Sequence, residues 1–317
     1  MIAPDVIGRR SAAPPPALPL EPLLAALAVA SVVELLVLRT VTRTAVHIPA
    51  LSALQRPYEF ISTFGRYSYF VTAVLLMVAL PVTFSALWRR GDLLARMAAV
   101  AVSLFALAAV VARTETLDIL LVDALTIGVV LFAASAAAAR AGWRTSLVVG
   151  AFAAAFALQG TSSALQDAAS EGFGSFETRW LLWGAEWLAL LFAVAAPFGL
   201  AARPSRSILV AAAAIAVLTF AVLLANGSTF KVLLLWNEGL AGTLPAAGYA
   251  LAAGTLVATV LGLLRQHRAL TASGVVLLIA GGIGLHSTYQ TGLVVVGLAV
   301  LCLPAREPAA VESVTSA

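Results

Sequence analysis

The chain has 317 residues, 62% hydrophobic and only 11% charged, and its mean hydropathy of +1.01 excludes an ordinary soluble domain. Its formal charge of +4 comes from 19 Lys and Arg spread over the ends of many apolar runs, which excludes a nucleic-acid surface and leaves the lipid bilayer as the partner the composition implies. The single cysteine, Cys302, leaves no intramolecular disulfide, thiolate metal site or CxxC motif.

Residues 1–21 contain a proline run that cannot form helix, and they read as a disordered cytoplasmic tail. The first apolar run continues past the small residues Ala28 to Ala30 as far as Leu38, which favours an uncleaved span over a secretory signal. Reading onward gives about ten spans over a transmembrane domain of residues 22–304. They are Pro22 to Thr40, Tyr67 to Trp88, Leu94 to Ala112, Leu117 to Ala139 and Thr145 to Leu165. The remaining five are Trp180 to Ala201, Ser207 to Asn226, Leu244 to Leu264, Ala269 to Leu285 and Gln290 to Pro304. The stretch Phe230 to Thr243 is too short and too polar to cross alone, and residues 305–317 form a second disordered tail. The expectation is an all-α, polytopic transmembrane helix bundle, multi-pass in the cell membrane.

Orientation follows from the basic residues. The N-tail, even loops and C-tail hold Arg9, Arg10, Arg89, Arg90, Arg96, Arg140, Arg144, Arg203, Arg206, Arg265, Arg268 and Arg306. The odd loops hold Arg39, Arg43, Arg56, Arg66, Arg113, Arg179 and Lys231. Twelve against seven places both termini in the cytoplasm by the positive-inside rule, with the first outer loop departing from it.

That departure lies in Glu34 to Pro49, ELLVLRTVTRTAVHIP, where a continued helix would put Arg39, Arg43 and His47 on one face at i, i+4 and i+8. Glu34 falls about 140° away from that stripe and needs another partner. A carboxylate within a span costs about 2.5–3.5 kcal/mol. With this topology Glu34, Asp123 and Glu186 all lie in the outer half, as do Glu115, Asp118, Gln159, Ser162, Ser163, Glu238, His286, Tyr289 and Gln290. The inner halves carry mainly hydroxyls such as Thr83, Ser85, Ser103, Thr255 and Thr259. The pattern predicts a polar pocket opening outward, with Glu34, Arg39, Arg43, His47, Asp118, Asp123, Glu186, Glu238 and His286 as its ligand-binding residues. Most of the six tryptophans sit near span ends as interfacial anchors, and Gly248, Ala252, Gly254, Gly281, Gly282 and Gly284 predict close helix packing.

No P-loop, dinucleotide fingerprint, HExxH, GxSxG or EF-hand loop occurs, and no metal site or resident cofactor is predicted. His47 and His286 both map outward, so a bis-histidine haem is permitted by position, whereas His267 lies in a solvated RQHR cap. Three functions remain open. The leading one is a transporter of a small solute or ion, with the buried acids as proton or cation sites and Arg39 as a switchable partner. The others are a redox-complex subunit binding quinone or haem, and an outer-face enzyme gripping a lipid-linked phosphate through Arg39 and Arg43, with Asp118 or Asp123 as general base.

Overall fold

The computed structural model describes residues 20–34, 55–112, 130–132, 134–135, 143–168, 176–200, 204–226, 243–282 and 288–303. Among the described residues the protein is all α, without a strand. In chain order the helices are α1 (Leu20–Ser31), α2 (Gln55–Arg90), α3 (Leu93–Ala112), α4 (Trp143–Ala168) and α5 (Phe176–Leu200). They continue with α6 (Arg206–Asn226), α7 (Thr243–Arg265), α8 (Ala269–Gly282) and α9 (Thr288–Leu301). Long runs of Ala and Leu favour helix, which also satisfies the backbone polar groups within each segment. Nine of the ten expected spans fall on these helices, and the other, Leu117 to Ala139, contributes the helical residues 130–132 and 134–135. The largest difference in a boundary is at α2, which begins at Gln55, well before the expected Tyr67.

The helices alternate in direction. The short turns α2–α3, α5–α6 and α7–α8 gather at one face, called here the basic end because it carries Arg90, Arg206 and Arg268. Arg268 Nη1 donates to the carbonyl oxygen of Leu200 over 2.9 Å, tying the start of α8 to the end of α5. Asp92 caps α3 by accepting from Ala95 N (2.8 Å) and also accepts from the Ser135 hydroxyl (3.3 Å), which anchors the 130–135 segment here. Leu20 packs, like Leu80 and Leu270, against both principal apolar clusters, so α1 also starts at this end. The C-terminus of α9 returns to it, with Cys302 Sγ donating to Phe132 O at 3.2 Å.

The hairpin α8–α9 is the centre of the bundle. Every residue from Thr291 to Leu303 is buried, and α1, α2 and α7 pack around the hairpin. Outside this core α4 pairs with α5, α5 with α7, and α6 lies at the edge against α7. Thr255 Oγ1 donates to Ala193 O (2.8 Å) across the α5–α7 contact, a hydroxyl used as interhelical glue. The expected close packing at Gly254 is present, since an added Cβ would stand 2.8 Å from Ala212 O on α6.

Unlike a soluble helix, α2 is apolar on its exposed face as well as its buried one. Its buried stripe is Thr72, Leu76, Ala79, Thr83 and Leu87, whereas Phe70, Val74, Met77 and Trp88 are exposed. Large apolar side chains are likewise exposed on α3, α5 and α6, among them Met97, Phe198 and Val217. Tyr67–Arg90 and Ala247–Arg265 are long and apolar enough to cross a bilayer, and the chain has further, shorter apolar helices. These two helices point to membrane association.

Candidate functional site

Glu34 lies at the end of α1 away from the basic end. The α-helix ends at Ser31 and the chain widens into a π turn over 32–34, a local departure that often accompanies a functional residue. Glu34, the last residue of this turn to be described, is only 3% exposed. Ser31, one turn back, is fully buried and donates to Leu27 O over 2.7 Å. Below them Leu24, Leu27 and Ala28 share an apolar cluster with Leu76, Ala79, Leu277 and Leu293.

Two further buried hydroxyls lie on α2 and α9. A Cβ added to Gly292 would stand 3.1 Å from Leu76, which fixes the register of α9 against α2. Thr291 precedes that glycine, and Thr72 is one turn from Leu76 toward the far end; both are fully buried. Thr72 donates to Ser68 O at 2.9 Å. Buried polar groups thus occur on α1 (Ser31 and Glu34), on α2 (Thr72) and on α9 (Thr291). Glu34 is not without a partner. A carboxylate is a hard oxygen donor, suited to a proton or a small cation.

Charge is distributed asymmetrically along the bundle. Among the described side chains, Arg89, Arg90, Arg96, Arg144, Arg206, Arg265 and Arg268 all belong to the basic end, together with the exposed His267. Glu34 is the carboxylate described in the opposite half. Among the described residues no group of three or more His, Cys, Asp and Glu is placed to hold a metal.

Of the nine residues predicted to bind a ligand, Glu34 is the one whose side chain is described, and it is buried. Glu186 is on α5, which packs on α4 and α7, whereas α1 packs on α2 and α8, so the two acids stand on helices without extended mutual contact. The side chain of Glu186 lies outside the described residues, as do those of Gln159, Ser162 and Ser163. Arg39, Arg43, His47, Glu115, Asp118, Asp123, Glu238 and His286 also lie outside the described residues, and with them the haem, quinone and phosphate sites considered above. Thr72 and Thr291 were not foreseen. The available signal was the spacing of Thr72 with Leu76, Ala79, Thr83 and Leu87, which puts a hydroxyl on the inward stripe.

Compared with protein-family models, curated proteins and solved structures, the chain matches none.

Proposed function

We propose that the chain is a multi-pass integral membrane protein of about ten spans, transporter-like, with a polar site near its outer face that binds a proton or small cation. The observation that carries this reading is the burial of Glu34 at a π turn at the end of α1, away from the basic end. A carboxylate held in an apolar bundle costs several kcal/mol and is retained where its charge is used. The outward apolar faces of α2, α3 and α6 support a lipid environment. The basic end supports a cytoplasmic location for both termini.

The test is proton flux in proteoliposomes that enclose a pH-sensitive dye. Wild-type protein is expected to dissipate an imposed pH gradient faster than empty liposomes, with a Na⁺ or K⁺ gradient as a second arm. Glu34→Gln, incorporated at equal density, is expected to lose that flux. Equal rates for wild type and Glu34→Gln, or a wild type no faster than empty liposomes in both arms, would overturn the proposal.

A further inference from the structure

The basic end carries more than a topological bias. Arg89, Arg90, Arg144, Arg206 and Arg265 are all exposed at the ends of four helices around its perimeter. The described carboxylates here are Glu21 and Asp92, and Asp92 is engaged in capping α3 and accepting from Ser135. Two large aromatic side chains share this level. Trp88 is 61% exposed one residue before Arg89, and Trp143 is 74% exposed with the Arg144 guanidinium 5.6 Å from its ring centre.

This combination has a specific chemical fit. An indole prefers the boundary between hydrocarbon and headgroup, and a guanidinium beside it meets phosphate oxygens in a fork geometry. The exposed apolar faces of α2, α3 and α6 run into the basic end, so acyl chains on those faces would bring their headgroups to the arginines. We propose that this perimeter is a binding surface for anionic phospholipid, selecting acidic over zwitterionic headgroups. The proposal rests on the membrane reading above and is independent of what Glu34 binds.

The test measures quenching of tryptophan fluorescence by brominated lipids after reconstitution into vesicles, comparing brominated phosphatidylglycerol with brominated phosphatidylcholine. At low salt, phosphatidylglycerol is expected to bind about fivefold or more in preference, the factor expected for one or more arginines at an anionic surface. High salt should bring the ratio toward one. Arg89→Gln combined with Arg90→Gln, Arg206→Gln and Arg265→Gln should do the same, with retained helicity by circular dichroism showing that the variant is folded. Trp143→Phe should reduce the quenching without changing the lipid ratio. Equal quenching by the two lipids at low salt overturns the proposal. Displacement of phosphatidylglycerol by the same concentration of inorganic phosphate also overturns it, because the site would then be one for a free anion. Failure of the wild type to enter vesicles of either lipid would instead overturn the membrane reading.

Discussion

Gly274 and Gly297 bring the backbones of α8 and α9 into direct contact: a Cβ on Gly297 would stand 2.8 Å from the carbonyl oxygen of Gly274 and 3.0 Å from Leu278 Cγ. The contact holds the central hairpin together at its middle, where small residues allow close approach. Gly297→Ala is therefore expected to destabilise by about 1–3 kcal/mol through overpacking. Gly150→Ala on α4, where nothing lies within 4 Å of the added Cβ, should instead stabilise by about 0.5–1 kcal/mol through helix propensity. Apparent thermal midpoints in detergent should move in opposite directions, and parallel shifts would contradict the close contact.

Thr83 is fully buried on the inward stripe of α2, and its Oγ1 has no hydrogen-bond partner among the described residues. Thr83→Val keeps the shape and removes the orphan hydroxyl. The expected gain is about 1 kcal/mol or more, since an unsatisfied buried group costs about 1–3 kcal/mol. A lowered thermal midpoint would show that the hydroxyl is in use.

His267 has φ of 56°, the left-handed region, at the end of α7. Its N–H donates to Leu264 O (3.0 Å) and that of Arg268 to Leu263 O (2.9 Å), the paired bonds of a Schellman cap. Glycine takes this conformation without penalty, so His267→Gly should stabilise by up to about 1 kcal/mol, whereas His267→Ala should not. Equal effects of the two substitutions on the thermal midpoint would argue against the backbone explanation.

Asp92→Ala removes the cap of α3 and leaves the Ser135 hydroxyl without this acceptor. A loss of about 0.5–2 kcal/mol is expected, with Asp92→Asn close to wild type because asparagine caps as well as aspartate. If Asp92→Asn is as damaging as Asp92→Ala, the carboxylate charge matters beyond the two hydrogen bonds.

Leu20 and Cys302 belong to the same end of the bundle, so reporters fused to the two termini should report the same compartment, the cytoplasm. Reporters on opposite sides would require an odd number of crossings and would contradict the up-and-down arrangement.

Much of the helical framework was legible in the sequence because apolar runs capped by arginine mark both segment and boundary, as at Arg89 and Arg265. The burial of Glu34 was legible for the same reason, a charge inside an apolar run. The π turn beneath it was not, since nothing in Ser31–Val32–Val33 encodes a widened turn, which depends on what the helix packs against. The buried hydroxyls of Thr72 and Thr291 were missed because they acquire meaning only when α2 and α9, distant in sequence, are set in register through Leu76 and Gly292. The hairpin's central position was hidden likewise: α8 and α9 are apolar on every face, and composition does not distinguish a helix surrounded by protein from one surrounded by lipid.

The position of that hairpin also bears on how the molecule is made. Among the described helices, the most enclosed pair leaves the ribosome after its neighbours α1, α2 and α7. Before α8 and α9 arrive, the inward stripe of α2 has α1 against Leu76 and Ala79 but lacks the contact of α9 at Leu76. The hairpin must therefore enter a slot between segments made before it, and a chain stopped before Ala269 would lack the pair those segments pack around.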